Sequence, residues 1–175
     1  MIEIKKASFE NIENIIEIIN DAKSFLKSQG LDQWQQGYPN ESSIRNDIIN
    51  NNSYVLLDNG VINATAAIIF DNDPNYSTIY NGKWLSSNNY VTIHRIATKA
   101  DSRNKGYAKE IIEFAKNLIK SKNIESIRVD THTKNIPMQK FLEKNGFKAC
   151  GIIYLNNEIN EVNKRIAYEY VIKKG

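Results

Sequence analysis

Apolar side chains recur along this chain with two periods, and the switches between them outline a succession of strands and helices. Ile2–Lys6 alternates apolar and polar residues, which predicts a short strand. Beyond Ser8, a residue suited to an N-cap, Phe9, Ile12, Ile15, Ile16, Ile19, Ala22 and Leu26 return at helical spacing until Gly30. Segment 31–43, LDQWQQGYPNESS, mixes amides, glycine and aromatics and reads as a loop. Ile44, Ile48 and Ile49 then mark a second, shorter helix. SYVLL and VINATAAIIF flank Asp58-Asn59-Gly60, whose residues suit the tight turn of a hairpin. Segment 71–89 is a long polar insertion with Tyr76, Tyr80 and Trp84 as anchors. YVTIHRIAT is rich in β-formers, and Ala108, Ile111, Ile112, Ala115, Leu118 and Ile119 form one helical face after it. SIRVDTH, a helix over 136–145, and the strands FKACGIIYL and RIAYEYVI complete the chain. The order β-α-α-β-β-β-α-β-α-β-β is mixed α/β (α+β), with no repeat and no linker, and predicts one domain over 1–175.

Composition narrows the classes. With 175 residues the chain suits one core of ordinary size. A net charge of +3, with acidic and basic residues interleaved, permits an anionic ligand without calling for nucleic acid. No apolar run approaches the length of a membrane span, and Met1-Ile2-Glu3-Ile4 leads into charge instead of a signal-peptide core. The single cysteine, Cys150, excludes an internal disulfide and fits a reducing compartment. With only His94 and His132 beside it, no structural zinc site is expected. The chain reads as cytoplasmic, with no metal, no membrane partner and no nucleic-acid partner, and as a monomer or homodimer.

The stretch DSRNKGYAKEIIEFAK, 101–116, carries the chemistry. It runs from a β-rich segment straight into an amphipathic helix, where the first backbone N–H groups have no intrahelical partner and the helix dipole is positive. A phosphate or pyrophosphate suits such a terminus. Gly106 can take a positive φ or let a ligand approach the backbone, Ala108 leaves the next approach open, and Arg103 and Lys105 add positive charge. Neither a P-loop nor G-x-G-x-x-G is present. Alone, R-x-x-G-x-A also describes an ordinary solvated helix start.

Arg103-Asn104-Lys105-Gly106-Tyr107-Ala108 resembles the R/Q-x-x-G-x-G/A pyrophosphate loop of the GNAT superfamily of acetyl-CoA-dependent N-acetyltransferases. TKNIPMQKFLEKNGF, 133–147, resembles that family's second signature, an asparagine followed by a helix ending in Glu-Lys-x-Gly-Phe. The element order agrees over nearly the whole chain. The resemblance implies a splayed central sheet flanked by helices. Backbone groups of Ile96, Ala97 and Thr98 would then pair with pantetheine, and N–H groups from Arg103, Asn104, Lys105, Gly106, Tyr107 and Ala108 would hold the pyrophosphate. Asn135 would contact the cofactor further along. The implied reaction is direct attack of a neutral amine on the acetyl-CoA thioester, with no metal and no covalent enzyme intermediate.

One position departs from that pattern. Where many members carry a tyrosine as general acid toward the leaving sulfur, this chain has Leu142. Tyr154, a water or unassisted departure of the thiolate remain as alternatives. For the base, the comparable family position falls near Thr92, and His94 shares its face at the two-residue strand period. An imidazole suits the removal of an ammonium proton, and a packed strand histidine is the competing reading. Trp34 and Tyr38 resemble the segment that covers the acceptor, with ordinary loop packing as the alternative. The acceptor amine is not legible. A GNAT-like module that binds acyl-CoA without turnover is the second class of function.

Overall fold

The computed structural model describes residues 1–172. The chain forms two compact units, one from Met1–Ile69 with Ile93–Phe114, the other from Phe70–Thr92 with the described part of 115–175.

In the first unit, strands β1 (Ile2–Lys6), β2 (Ser53–Asp58) and β3 (Val61–Ile69) form an antiparallel set. Strand β4 (Tyr90–Thr98) follows β3 in sheet order. Helix α1 spans Ile12–Ser28 and α2 spans Glu41–Ile49. The predicted long helix begins later than its pattern suggests, because Phe9–Asn11 makes a separate 3₁₀ turn. Phe9 therefore lies outside the apolar face and is exposed, under the guanidinium of Arg45. Ile12, Ile15, Ile18 and Ile19 are the buried stripe, packed with Ile44, Ile48, Val55, Ile62 and Ala97. Each such side chain removed from water contributes roughly 1.5–3 kcal/mol. Ile49, expected on the inner face of α2, is exposed, and Asp47 is buried in its stead.

The second unit contains the start of β4, strands β5 (Ser126–His132), β6 (Lys148–Tyr154) and β7 (Lys164–Val171), and helix α4 (Ile136–Lys144). Its sheet order is β4-β5-β7-β6. β4 pairs in parallel with β5 through Tyr90, Val91 and Thr92, and the other pairings are antiparallel. Helix α3 (Tyr107–Ser121) buries Ile111, Ile112, Ala115 and Ile119, as its periodicity predicts.

The insertion over 71–89 is pinned to its sheet. Tyr76 is buried and its hydroxyl donates to Asp130 Oδ2 at 2.6 Å, while Trp84 Nε1 donates to the Tyr76 carbonyl at 3.0 Å. Tyr80 bridges to Ile152 of β6 through two backbone hydrogen bonds of 2.8 Å. Gly82 passes so near β6 that a Cβ there would meet the Cys150 carbonyl oxygen, which makes glycine obligatory.

A buried ion pair lies under the same insertion. Arg128 Nε donates to Glu169 Oε2 at 3.0 Å, and its guanidinium stacks between Trp84 and Tyr90 at 4.2 and 4.1 Å from their ring centres. Glu169 also accepts from the backbone N–H of Leu85 at 2.6 Å and the Ser86 hydroxyl at 2.6 Å. Arg128 closes the circuit by donating to the Ser86 carbonyl at 2.6 Å.

Candidate active site

The helix-start loop is held in place from three directions, all within the first unit. The Asp21 carboxylate of α1 accepts the Ala100 N–H at 2.9 Å, and the Asp21 carbonyl accepts from Arg103 Nη2 at 3.0 Å. The Arg103 guanidinium lies 4.5 Å above the Phe25 ring. Ser102 is buried and its hydroxyl donates to Asn63 Oδ1 at 2.9 Å. Tyr107, the first residue of α3, is buried too and its hydroxyl donates to Asp58 Oδ2 at 2.6 Å. That bond holds the Asp58 carboxyl below the ordinary carboxylate value and raises the Tyr107 phenol above its own. The Arg103 side chain thus fastens the loop to α1, where sequence reasoning gives it only a charge. Lys105 remains exposed.

Between these anchors the backbone makes a concave turn. Asn104 has φ of 66° and Gly106 has φ of 81°. Left-handed residues in such a turn aim N–H groups at a common point, a geometry that binds anions. The Glu110 N–H donates to the Gly106 carbonyl at 3.1 Å, so the N–H groups of Tyr107, Ala108 and Lys109 precede the helical ladder. Apart from its own chain neighbours, no atom of the described residues lies within 4 Å of where a Gly106 Cβ would be, so the space there is open. The left-handed residues, the N–H groups ahead of the helical ladder, the exposed Lys105 and the open space together suit an anion.

Upstream, β4 contains an interruption that sequence periodicity does not reveal. Arg95 has φ of 54° inside the strand, a left-handed conformation uncommon for a long side chain. Its guanidinium forms a two-point ion pair with Asp47 of α2, at 2.7 Å from Nε and 2.6 Å from Nη2. Nη1 donates to the Tyr38 hydroxyl. Arg95 and Asp47 are functional candidates missed in the sequence, since charged residues far apart along a chain give no local signal of pairing.

The expected site residues are distributed over both units. Trp34, Tyr38, His94, Ile96, Ala97, Thr98 and residues 103–108 belong to the first, and Thr92, Asn135 and Tyr154 to the second. Trp34 packs partly buried against the first unit's core, whereas Tyr38 is 48% exposed. His94 is half-buried, and Ala97 is buried in the core cluster. Thr92 is 1% exposed, and its hydroxyl has no hydrogen-bond partner among the described residues. Asn135 is buried and caps α4, its Oδ1 accepting the Met138 N–H at 3.3 Å. Tyr154 ends β6 and packs edge-on against Tyr80, with ring centres 5.3 Å apart. Leu142 is 1% exposed, so this position on α4 faces the core. Among the described residues no group of three or more His, Cys, Asp or Glu side chains is placed to hold a metal ion. No described helix is long and apolar enough to cross a membrane.

Comparison with known proteins decides the family. Residues 13–147 match the model of the Acetyltransferase (GNAT) family. The chain belongs to that family. A GNAT family acetyltransferase from Streptococcus agalactiae has 35% sequence identity and a TM-score of 0.88 over 99% of this chain and 96% of that one. The PaiA N-acetyltransferase of Thermoplasma acidophilum, solved in complex with coenzyme A, shares the fold. Its identity is 18% and its TM-score 0.70, over 98% of this chain and 99% of that one. Streptothricin acetyltransferase of Escherichia coli is 36% identical over 72 residues, 41% of this chain. That match spans 40% of the curated relative's length. The fold of this GNAT acetyltransferase is thus the mixed α/β arrangement that the element order predicts, and acetyl transfer from acetyl-CoA is the general activity of its family.

Proposed function

We propose that the chain is one acetyltransferase domain that moves the acetyl group of acetyl-CoA to a primary amine of a small molecule or peptide. The open, concave turn at 103–108 ahead of α3 is the observation that carries this reading. Its N–H groups hold the pyrophosphate, and the backbone of Ile96, Ala97 and Thr98 holds the pantetheine arm. The name of the curated relative, streptothricin acetyltransferase, supports a small-molecule acceptor.

Acetyl-CoA supplies a thioester activated toward nucleophiles. The chain's own groups hold the acceptor beside it, which turns a bimolecular encounter into a local one. The amine nitrogen forms the new C–N bond as the C–S bond breaks, and the departing electron pair stays on sulfur. His94 accepts the proton that the acceptor nitrogen must lose, directly or through a water. Tyr154 delivers a proton to the departing sulfur. Trp34, Tyr38 and Thr92 shape the acceptor side, with Thr92 acting from beneath the surface because its side chain is buried.

Thiol release from acetyl-CoA, followed across amino acids, polyamines, aminoglycosides and peptide N-termini, tests the reading. At least one class should give turnover. Tight acetyl-CoA binding without thiol release for any amine would favour instead a silent acyl-CoA-binding module, a reading that the apolar Leu142 supports. Two variants test the proton carriers. Tyr154→Phe should lower kcat about 10²-fold with coenzyme A affinity unchanged, the lower end of general acid catalysis. A kcat near the parent's would leave protonation to water. His94→Gln should lower kcat/KM with coenzyme A affinity unchanged. A kcat/KM at the parent value, at a temperature where both proteins are folded, would make His94 a packing residue.

A further inference from the structure

The Arg95–Asp47–Tyr38 cluster contains a strained backbone and a buried charge pair that no catalytic step uses. A non-glycine residue held at φ of 54° is strained and persists only where its surroundings impose it. The side chains of Arg95 and Asp47 are 12% and 10% exposed, so the pair is mostly out of water. Asp47 accepts through both carboxylate oxygens, a two-point geometry that fixes the guanidinium plane. One guanidinium nitrogen remains directed at the Tyr38 hydroxyl, and the Arg95 carbon lies 6.0 Å from the centre of the Tyr38 ring.

The neighbouring loop is also held by Trp34, which packs against the core, and by several hydrogen bonds. The Asn40 side chain caps α2, accepting the Ser43 N–H at 3.0 Å. Gln35 Nε2 donates to the Lys23 carbonyl at 2.9 Å, and Lys23 donates to the Pro39 carbonyl. Within this frame Tyr38 is an exposed aromatic whose polar tip is tied to β4, directly before Ile96, Ala97 and Thr98.

We propose that Arg95 is a positioning residue for the acceptor. Clamped by Asp47, it holds the Tyr38 ring, and with it the loop over 31–40, in the orientation that receives the amine substrate. This rests on the reading of Tyr38 as an acceptor contact given above. The chemistry that follows is a split in kinetic effects. Acceptor binding depends on the clamp, whereas acetyl-CoA binding depends on the 103–108 loop, which is anchored separately through Asp21, Asn63 and Asp58.

Tyr38→Phe keeps the ring and removes the hydroxyl that accepts from Arg95. Arg95→Lys keeps a cation beside Asp47 and loses the second and third donors. Each variant should raise the acceptor KM about 3- to 10-fold, the scale of one charged hydrogen bond, while kcat and the acetyl-CoA KM stay within about twofold. The double variant should be no worse than the more affected single, because both substitutions break one interaction. Hydrogen exchange over 31–40 should quicken in both singles, with exchange over 103–108 unaltered. An acceptor KM at the parent value in Tyr38→Phe, or additive effects in the double variant, overturns the proposal. If the parent turns over no amine, the proposed function fails on its own, and exchange over 31–40 decides the clamp. Faster exchange there sustains the clamp, and unaltered exchange overturns it.

Discussion

Gly106→Glu should abolish useful binding of acetyl-CoA while leaving the protein folded. The native φ of 81° is disfavoured for any residue with a Cβ, at about 1–3 kcal/mol. The larger effect is electrostatic. A glutamate in the turn brings a carboxylate close to the place proposed for a doubly charged pyrophosphate. At about 4 Å and an effective dielectric near 20, like charges repel by roughly 4 kcal/mol per pair. Even with partial escape of the side chain into the open space, affinity should fall by about 10³-fold or more. Calorimetry with coenzyme A measures this directly. Gly106→Ala separates the two causes, since beyond its chain neighbours its Cβ would meet no atom of the described residues within 4 Å. It should cost about 1 kcal/mol of stability and weaken coenzyme A binding far less than the glutamate does. Coenzyme A affinity at the parent level in Gly106→Glu would remove the pyrophosphate from this loop.

The second large effect concerns stability. Glu169 is 0% exposed and is the sole carboxylate paired with Arg128 among the described ion pairs. Glu169→Ala leaves the guanidinium buried between Trp84 and Tyr90 without the Glu169 carboxylate, and leaves the N–H groups of Leu85 and Ser86 without that acceptor. Breaking one side of such a pair costs about 3–5 kcal/mol, a large share of a typical domain's stability. Urea unfolding should show the loss, and tryptophan emission should report release of Trp84 from its stack. Glu169→Gln retains an oxygen for the two N–H groups and should fall between alanine and parent. A double replacement, Arg128→Met with Glu169→Leu, should recover much of the loss, because apolar packing can substitute for a buried pair. A loss under about 1 kcal/mol in Glu169→Ala would mean that the insertion over 71–89 is held without the pair.

Elements whose cause is local were legible along the chain. The stripe on α3 follows from four buried positions at helical spacing, and the β2–β3 hairpin follows from Asp58-Asn59-Gly60, where Asn59 and Gly60 both have positive φ. The helix-start loop was legible because its ingredients lie within six residues, and its turn requires the glycine that marks it. The anchoring of the insertion through Tyr76 and Trp84 was likewise foreseeable, since large aromatics in a polar segment have few other uses.

What the tertiary structure alone decided are the partnerships between residues far apart. The Arg103 side chain reads only as added positive charge until α1 presents the Asp21 carbonyl and the Phe25 ring. Arg128 and Glu169 lie 41 positions apart, and Arg95 and Asp47 lie 48 apart. A lone charged residue belongs in water, so each of these four reads as surface until its partner is known. Burial reverses that default only when the fold brings both charges and the remaining donors and acceptors together at once. The same holds for the backbone at Arg95, where periodicity predicts an unbroken strand. The left-handed turn there accompanies a side-chain pairing across the first unit, and no local preference of arginine encodes it.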